Sequence, residues 1–174
     1  MAQNISDIAG TLLGDSPTVR GEWHVRVVRA DGSIETRVVN NVVTRMGLNH
    51  IANRALNATT PFYIIGVGTQ TAAHSLDSGQ PGIGEVLRKT GVAVQSREWV
   101  SLQCTIGGAS DSVTSVVLDS AFMGTFPTSY STAAGSGGVV GNAVNGLGVT
   151  LGGSDLLDLT VRIRIGSHDL SHST

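Results

Sequence analysis

From Leu157 to Ile165 the chain alternates without error. Leu157, Leu159, Val161, Ile163 and Ile165 are apolar, and Asp158, Thr160, Arg162 and Arg164 between them are polar. A period of two sends the two sets to opposite faces of an extended strand. A strand with one wholly apolar face is satisfied only in a sheet covered on that side by a core and left polar on the other. The rest of the chain has to supply the partners of that strand and the layer that covers it.

The nearest candidate partner is a hairpin over residues 22–43. Trp23, Val25 and Val27 alternate with His24 and Arg26, Asp31-Gly32 supplies the turn, and Ile34, Thr36 and Val38 alternate with Glu35 and Arg37 on the return. Arg26 or Arg29 can pair with Glu35 across the strands. Thr44 is placed to cap a short helix whose apolar face is Leu48, Ile51, Ala52 and Ala55, ended by Asn57 and Thr60-Pro61. Phe62 to Val67 reads as a buried strand, and residues 68–84 read as a long polar loop. Residues 92–106 read as one strand with Val100, Leu102, Cys104 and Ile106 on one face, and residues 112–123 as another. Residues 127–149, built of Gly, Ser, Ala and Asn with scattered valines, have the composition of a projecting loop.

These six or seven strands, one short helix and long loops predict a mainly β fold, a β-sandwich or jelly-roll-like domain. The length of 174 residues suits one domain, here residues 21–166, with an N-terminal arm over 1–20 and a flexible polar tail over 167–174. Aromatic residues are 4% of the chain, so the core must be filled by Val, Leu, Ile and Ala. Charged residues are 14%, against roughly 25% in ordinary soluble domains. A surface that poor in charge and rich in Gly, Ser and Thr suits a protein packed against other proteins.

The same inventory argues against several functions. A net charge of −2 gives no field to attract nucleic acid or an anionic membrane. Arg26, Arg37, Arg45 and Arg54 are offset by Glu22 and Glu35. No apolar run reaches the length of a membrane span, and the first residues lack a signal-peptide pattern, so synthesis and retention in the cytoplasm are expected. Cys104 is the one cysteine, which excludes an intrachain disulfide and favours a small core residue.

An enzyme needs a constellation, and none is legible. His24, His50, His74, His168 and His172 are the acid–base or metal candidates. His168 and His172 have metal-ligand spacing but fall in a polar tail with nothing to make it helical. Glu85 and Arg88 have the spacing of an ion pair on one helical turn. Gly66-Val67-Gly68 lacks the third glycine and helix of a dinucleotide site, and no Gly-x-Ser-x-Gly elbow or phosphate loop is present. The expectation is no catalytic residue, no cofactor and no metal.

Three blocks then become familiar. Residues 40–52, Asn-Asn-Val-Val-Thr-Arg-Met-Gly-Leu-Asn-His-Ile-Ala, resemble a segment of phage virion proteins in which a strand runs into a short helix. Residues 64–72 resemble the apolar, then Gly-x-Gly-Thr signature of the same proteins, followed as in them by a leucine, Leu76, and an E-x-x-R element, Glu85 to Arg88. Residues 151–165 resemble their closing strand. The resemblance spans residues 22–165 and departs from the pattern in a Gly-rich insertion at 127–149. It implies a structural role in a tailed-bacteriophage virion and carries over no catalytic residue.

The expected function is therefore non-enzymatic. The leading reading is a capsid-surface decoration (cement) protein, with a tail, neck, baseplate or fibre component as the alternative and a receptor- or carbohydrate-binding module as a second. Low aromatic content counts against sugar stacking. The expected partners are other virion proteins, a major capsid protein or tail proteins, and further copies in a homo-oligomer. Contacts are expected at apolar residues in polar segments: Ile5, Ile8, Leu12 and Leu13 of the arm, and His74, Leu76, Val139 and Val140 of the loops.

Overall fold

The computed structural model describes residues 18–56, 61–70, 84–96, 99–125 and 140–166. In chain order they form β1 (Thr18–Val28), β2 (Ile34–Asn40), β3 (Val42–Val43), α1 (Arg45–Leu56), β4 (Ile64–Gly68), β5 (Glu85–Thr90), β6 (Val92–Ser96), β7 (Trp99–Gly107), β8 (Val117–Gly124), β9 (Val140–Thr150) and β10 (Leu156–Gly166). All the strand pairs are antiparallel. They make two five-stranded sheets, sheet A in the order β2-β1-β10-β7-β6 and sheet B in the order β3-β9-β8-β4-β5. The described residues form a β-sandwich with one short helix, the predicted class.

The alternating strand lies at the centre of sheet A. β10 pairs with β1 from Thr18–Gly166 to Val28–Leu156 and with β7 from Trp99–Arg164 to Gly107–Leu156. Its inward side chains Leu157, Leu159, Val161 and Ile163 join Trp23, Val25 and Val27 of β1 in the main core. Ile65 and Val67 of β4, Leu118, Ala121 and Met123 of β8, and Val144, Leu147 and Val149 of β9 close that core from sheet B. One polar link crosses it: Trp23 Nε1 donates to Asn142 Oδ1 at 2.8 Å, both residues fully buried. A buried indole N–H needs an acceptor, and this one finds it on the opposite sheet, so the bond ties the two sheets together through the core.

Several expectations change. Residues 92–106 form two strands, β6 and β7, paired from Val92–Gln103 to Ser96–Trp99. The strand read over 112–123 begins only at Val117, because Ser112 (φ 58) and Ser115 (φ 64) turn the backbone left-handed ahead of it. Glu85 and Arg88 lie on strand β5, not on a helical turn. The largest correction is β9. Residues 140–149, read as part of a projecting insertion, are an inner strand of sheet B between β3 and β8. Sheet A also begins at Thr18, within the segment read as an arm.

The helix forms where expected. Thr44 Oγ1 accepts from the Gly47 N–H at 2.9 Å, and the Thr44 carbonyl accepts from the Leu48 N–H at 2.9 Å. The Thr44 hydroxyl in turn donates to the Val140 carbonyl, which ties the cap to β9. Its packing face is the predicted one only in part, since Ile51 packs against the main core. Leu48 and Ala52 are exposed, and the helix rests on β9 through Gly47, where any Cβ would collide with the Gly141 carbonyl oxygen. His50 lies against Phe62, ring centroids 4.8 Å apart.

Candidate functional site

Residues opposite one another in an antiparallel sheet point to the same side, so the registers of sheet A define its outer face row by row. One row is Val38, His24, Thr160, Gln103 and Val92; the next is Asn40, Glu22, Arg162, Ser101 and Val94. On the other side of the first row come Thr36, Arg26, Asp158 and Thr105, then Ile34, Val28, Leu156 and Gly107. Among the described residues nine large apolar side chains are exposed, and five of them stand on this face: Ile34, Val38, Val92, Val94 and Leu156. An even scatter would not concentrate them so.

The face has a polar centre and apolar flanks. In the centre Arg26 Nη1 donates to Asp158 Oδ2 at 2.7 Å, and Thr105 Oγ1 donates to Asp158 Oδ1 at 2.6 Å. His24 Nε2 lies 2.6 Å from Glu22 Oε1, with Arg162 Nη1 3.8 Å from the same oxygen. Apart from the His24–Glu22 contact within β1, these groups satisfy one another across neighbouring strands, as solvent-facing cross-strand pairs do. Val38 on β2 and Val92 on β6 flank them, and the twist of the sheet makes the surface between a shallow open concavity of about 910 Å³. The arrangement is suited to holding a broad protein surface by shape and apolar contact. Glu22, His24 and Thr160 provide no nucleophile–base–orienter chain, since among the described residues no hydroxyl is hydrogen-bonded to His24, whose partner is Glu22 two residues away on the same strand.

The end of the sandwich beneath Ile34 is held by charge. Asp155 accepts hydrogen bonds from the Gly152 N–H (2.9 Å), the Ala30 N–H (2.9 Å) and Arg29 Nη1 (3.0 Å). The Gly152 bond, then Arg29, holds the Asp155 carboxyl below its ordinary value. Arg29 also contacts Glu35 at 2.8 Å, and Glu35 and then Asp155 raise its own value further. Asp111 takes the Gly107 N–H at 2.8 Å and Lys89 Nζ at 2.9 Å. Cys104 packs against the main core, and burial pushes its thiol up to about 12, so it is a poor nucleophile at neutral pH. Among the described residues no cluster of three His, Cys, Asp or Glu side chains could hold a metal.

Of the expected contact residues, Ile5, Ile8, Leu12, Leu13, His74, Leu76 and Val139 lie outside the described residues, as do His168 and His172. Val140 is corrected: it is fully buried in a second cluster with Ile64, Phe122 and Ala143 on the outer side of sheet B. It serves its own fold, because the strand it begins runs between β3 and β8. The outer face of sheet A was not singled out from sequence. Its signal was present in Val92 and Val94, apolar at alternate positions of a strand whose other residues are small or polar.

No protein-family model, no curated protein and no solved structure matches the chain.

Proposed function

We propose that the chain is a non-enzymatic structural component of a tailed-phage particle that works by packing against other virion proteins, first as a capsid-surface decoration protein and alternatively as a tail, neck, baseplate or fibre component. The observation that carries the packing role is the outer face of sheet A. It is a wide strand surface whose central charges are mutually satisfied and whose flanks expose Ile34, Val38, Val92, Val94 and Leu156. Satisfied polar groups can be covered by a partner without leaving an unpaired charge, and apolar flanks gain free energy when covered. The three sequence blocks that resemble phage virion proteins point to the particle as the place where that happens.

Such contacts are individually modest, and a decoration protein repeats them over the shell. Quantitative mass spectrometry of purified particles tests the reading. A copy number equal to that of the major capsid protein, or a simple fraction of it, is the expected result. A few copies per hundred capsid proteins would move the chain to the neck, tail or fibres, and absence from the particles would overturn the structural reading.

A further inference from the structure

The open edge of sheet A is a strand whose side chains complement a second copy of itself. β2 is the outermost strand of the sheet, and every one of its residues except Val39 is exposed. The direction of its backbone groups follows from the hairpin. The Arg29 N–H donates to the Ser33 carbonyl at 2.9 Å, which makes that facing pair a hydrogen-bonded one. Hydrogen-bonded and non-hydrogen-bonded pairs alternate along an antiparallel ladder. With Val27 opposite Glu35 and Val25 opposite Arg37, the backbone groups of Glu35, Arg37 and Val39 turn toward β1. Those of Ile34, Thr36 and Val38 turn toward the open edge.

We propose that two copies of this chain join edge to edge through antiparallel pairing of β2 about a twofold axis at Thr36. In this register Thr36 faces Thr36 of the second copy, Ile34 faces Val38, and Glu35 faces Arg37. The pairs at 34/38, 36/36 and 38/34 present outward-turned backbone groups to each other, about six hydrogen bonds in all. Glu35 and Arg37 form the intervening pairs, in which side chains approach most closely, and their charges are opposite. Ile34 and Val38, 53% and 56% exposed in the single chain, meet across the seam on the outer face. The two sheets A become one continuous sheet, and the contact is self-complementary, as a twofold interface requires.

Charge selects this register over its neighbours. An axis at Arg37 sets Arg37 against itself, and an axis at Glu35 sets Glu35 against itself. Arg37 has no ion-pair partner among the described residues, and the Glu35 side chain is 62% exposed although Arg29 touches it. The opposite edge, β6, reads Val-Ala-Val-Gln-Ser and has no charge to fix a register. Mixed charge on an edge strand discourages unrelated strands, and at this spacing it admits its own copy. The pairing requires no virion and stands apart from the particle reading.

Sedimentation of the full-length chain over a concentration series tests it. The wild type is expected to run at about twice the chain mass of 17.9 kDa. Thr36→Pro removes an N–H from the open edge while leaving the ladder to β1 intact, and is expected to give monomer. Arg37→Glu and Glu35→Arg each turn two attractive pairs into repulsive ones and are expected to weaken association about 10-fold or more. An equimolar mixture of the two charge variants sets an acidic edge against a basic one and is expected to restore the dimer. Thermal melts of each variant check that the fold is kept; Arg37→Glu, at an exposed position, carries the test if Thr36→Pro does not fold. A monomeric wild type, an assembly of odd order, charge variants that associate like the wild type, or a mixture that stays monomeric would each overturn the proposal.

Discussion

The two sheets have the same number of strands and share one core, but their outer faces have opposite fates. On sheet B the centre of the outer face is buried, although Val117 and Thr150 at one end of β8 and β9 stay exposed. Ile64, Phe122, Val140 and Ala143 form a cluster of their own, Arg88 lies over the Phe122 ring at 5.8 Å, and Arg88 is clamped by Glu85 at 2.5 and 2.7 Å. α1 rests on β9 at one side of that face. On sheet A the outer face is open, its charges are paired in solvent, and its apolar residues are exposed. Apolar content alone does not separate them, since Val92, Val94, Ile34 and Val38 are as apolar as Ile64 and Val140. What separates them is whether the chain returns to cover the face. A sandwich needs only its inner layer to fold, so a covered outer face is a second core and an uncovered one is free for use.

The sharpest way to break this comparison is to remove the centre of the second core. Phe122→Ala is expected to lower unfolding free energy by about 3–5 kcal/mol in urea denaturation, as a buried aromatic truncation does. A loss near zero would mean that the outer cluster of sheet B is no core at all. Asn142→Ala, which removes the acceptor that the Trp23 indole N–H meets on the opposite sheet, is expected to lose about 1–3 kcal/mol by the same measurement.

Asp155→Asn probes the charged end of the sandwich by pH. The folded-state value of this carboxyl is depressed, so its contribution is present above the ordinary value of 3.8 and is lost as pH falls through the lower folded value. The variant is therefore expected to melt below the wild type at pH 7, with the gap closing toward pH 3. A gap that is independent of pH would show that the ionised form is not what matters. The smallest effect belongs to the open face: Val92→Ser with Val94→Ser is expected to change stability by no more than about 0.5 kcal/mol. Weaker retention of the variant on particles, with its melting curve unchanged, would assign the face to binding.

How much of this was legible in the sequence depended on whether a strand's side chains announce it. β10 and β1 alternate large apolar and polar residues, and both were read with their faces correct. β9 failed because Gly141, Gly146 and Gly148 hide its pattern. Its second half does alternate, Leu147, Val149 and Leu151 inward and Gly146, Gly148 and Thr150 outward, but glycine outward looks like loop composition. The register shift of β8 against β9 between Leu118 and Ser120, beside Gly146 at φ +80, breaks the period at mid-strand as well. The helix face was read correctly at Ile51 and missed at Gly47, because a glycine does part of the packing: Gly47 meets Gly141 backbone to backbone, and periodicity counts only side chains. Glu85 and Arg88 were paired correctly and placed on the wrong element, since a spacing of three fits a helix while the irregular register at Gly68 allows the same contact on a strand.

The pairing of β1 with β10 also sets the order in which the protein can be made. Thr18 lies opposite Gly166, and apart from its hairpin mate β1 has no other neighbour in its sheet. On a ribosome, Trp23, Val25 and Val27 therefore wait, with one edge of their strand unpaired, until their partners Val161, Leu159 and Leu157, about 130–140 residues further on, have been translated. At about 5–20 residues per second that interval is on the order of ten seconds. Sheet B, whose strands all lie between the two halves of this closure, is complete in sequence before β10 emerges. The nascent chain thus passes through a stage in which one layer of the sandwich is available and the other is unfinished, and folding closes only when the last strand slots between β1 and β7.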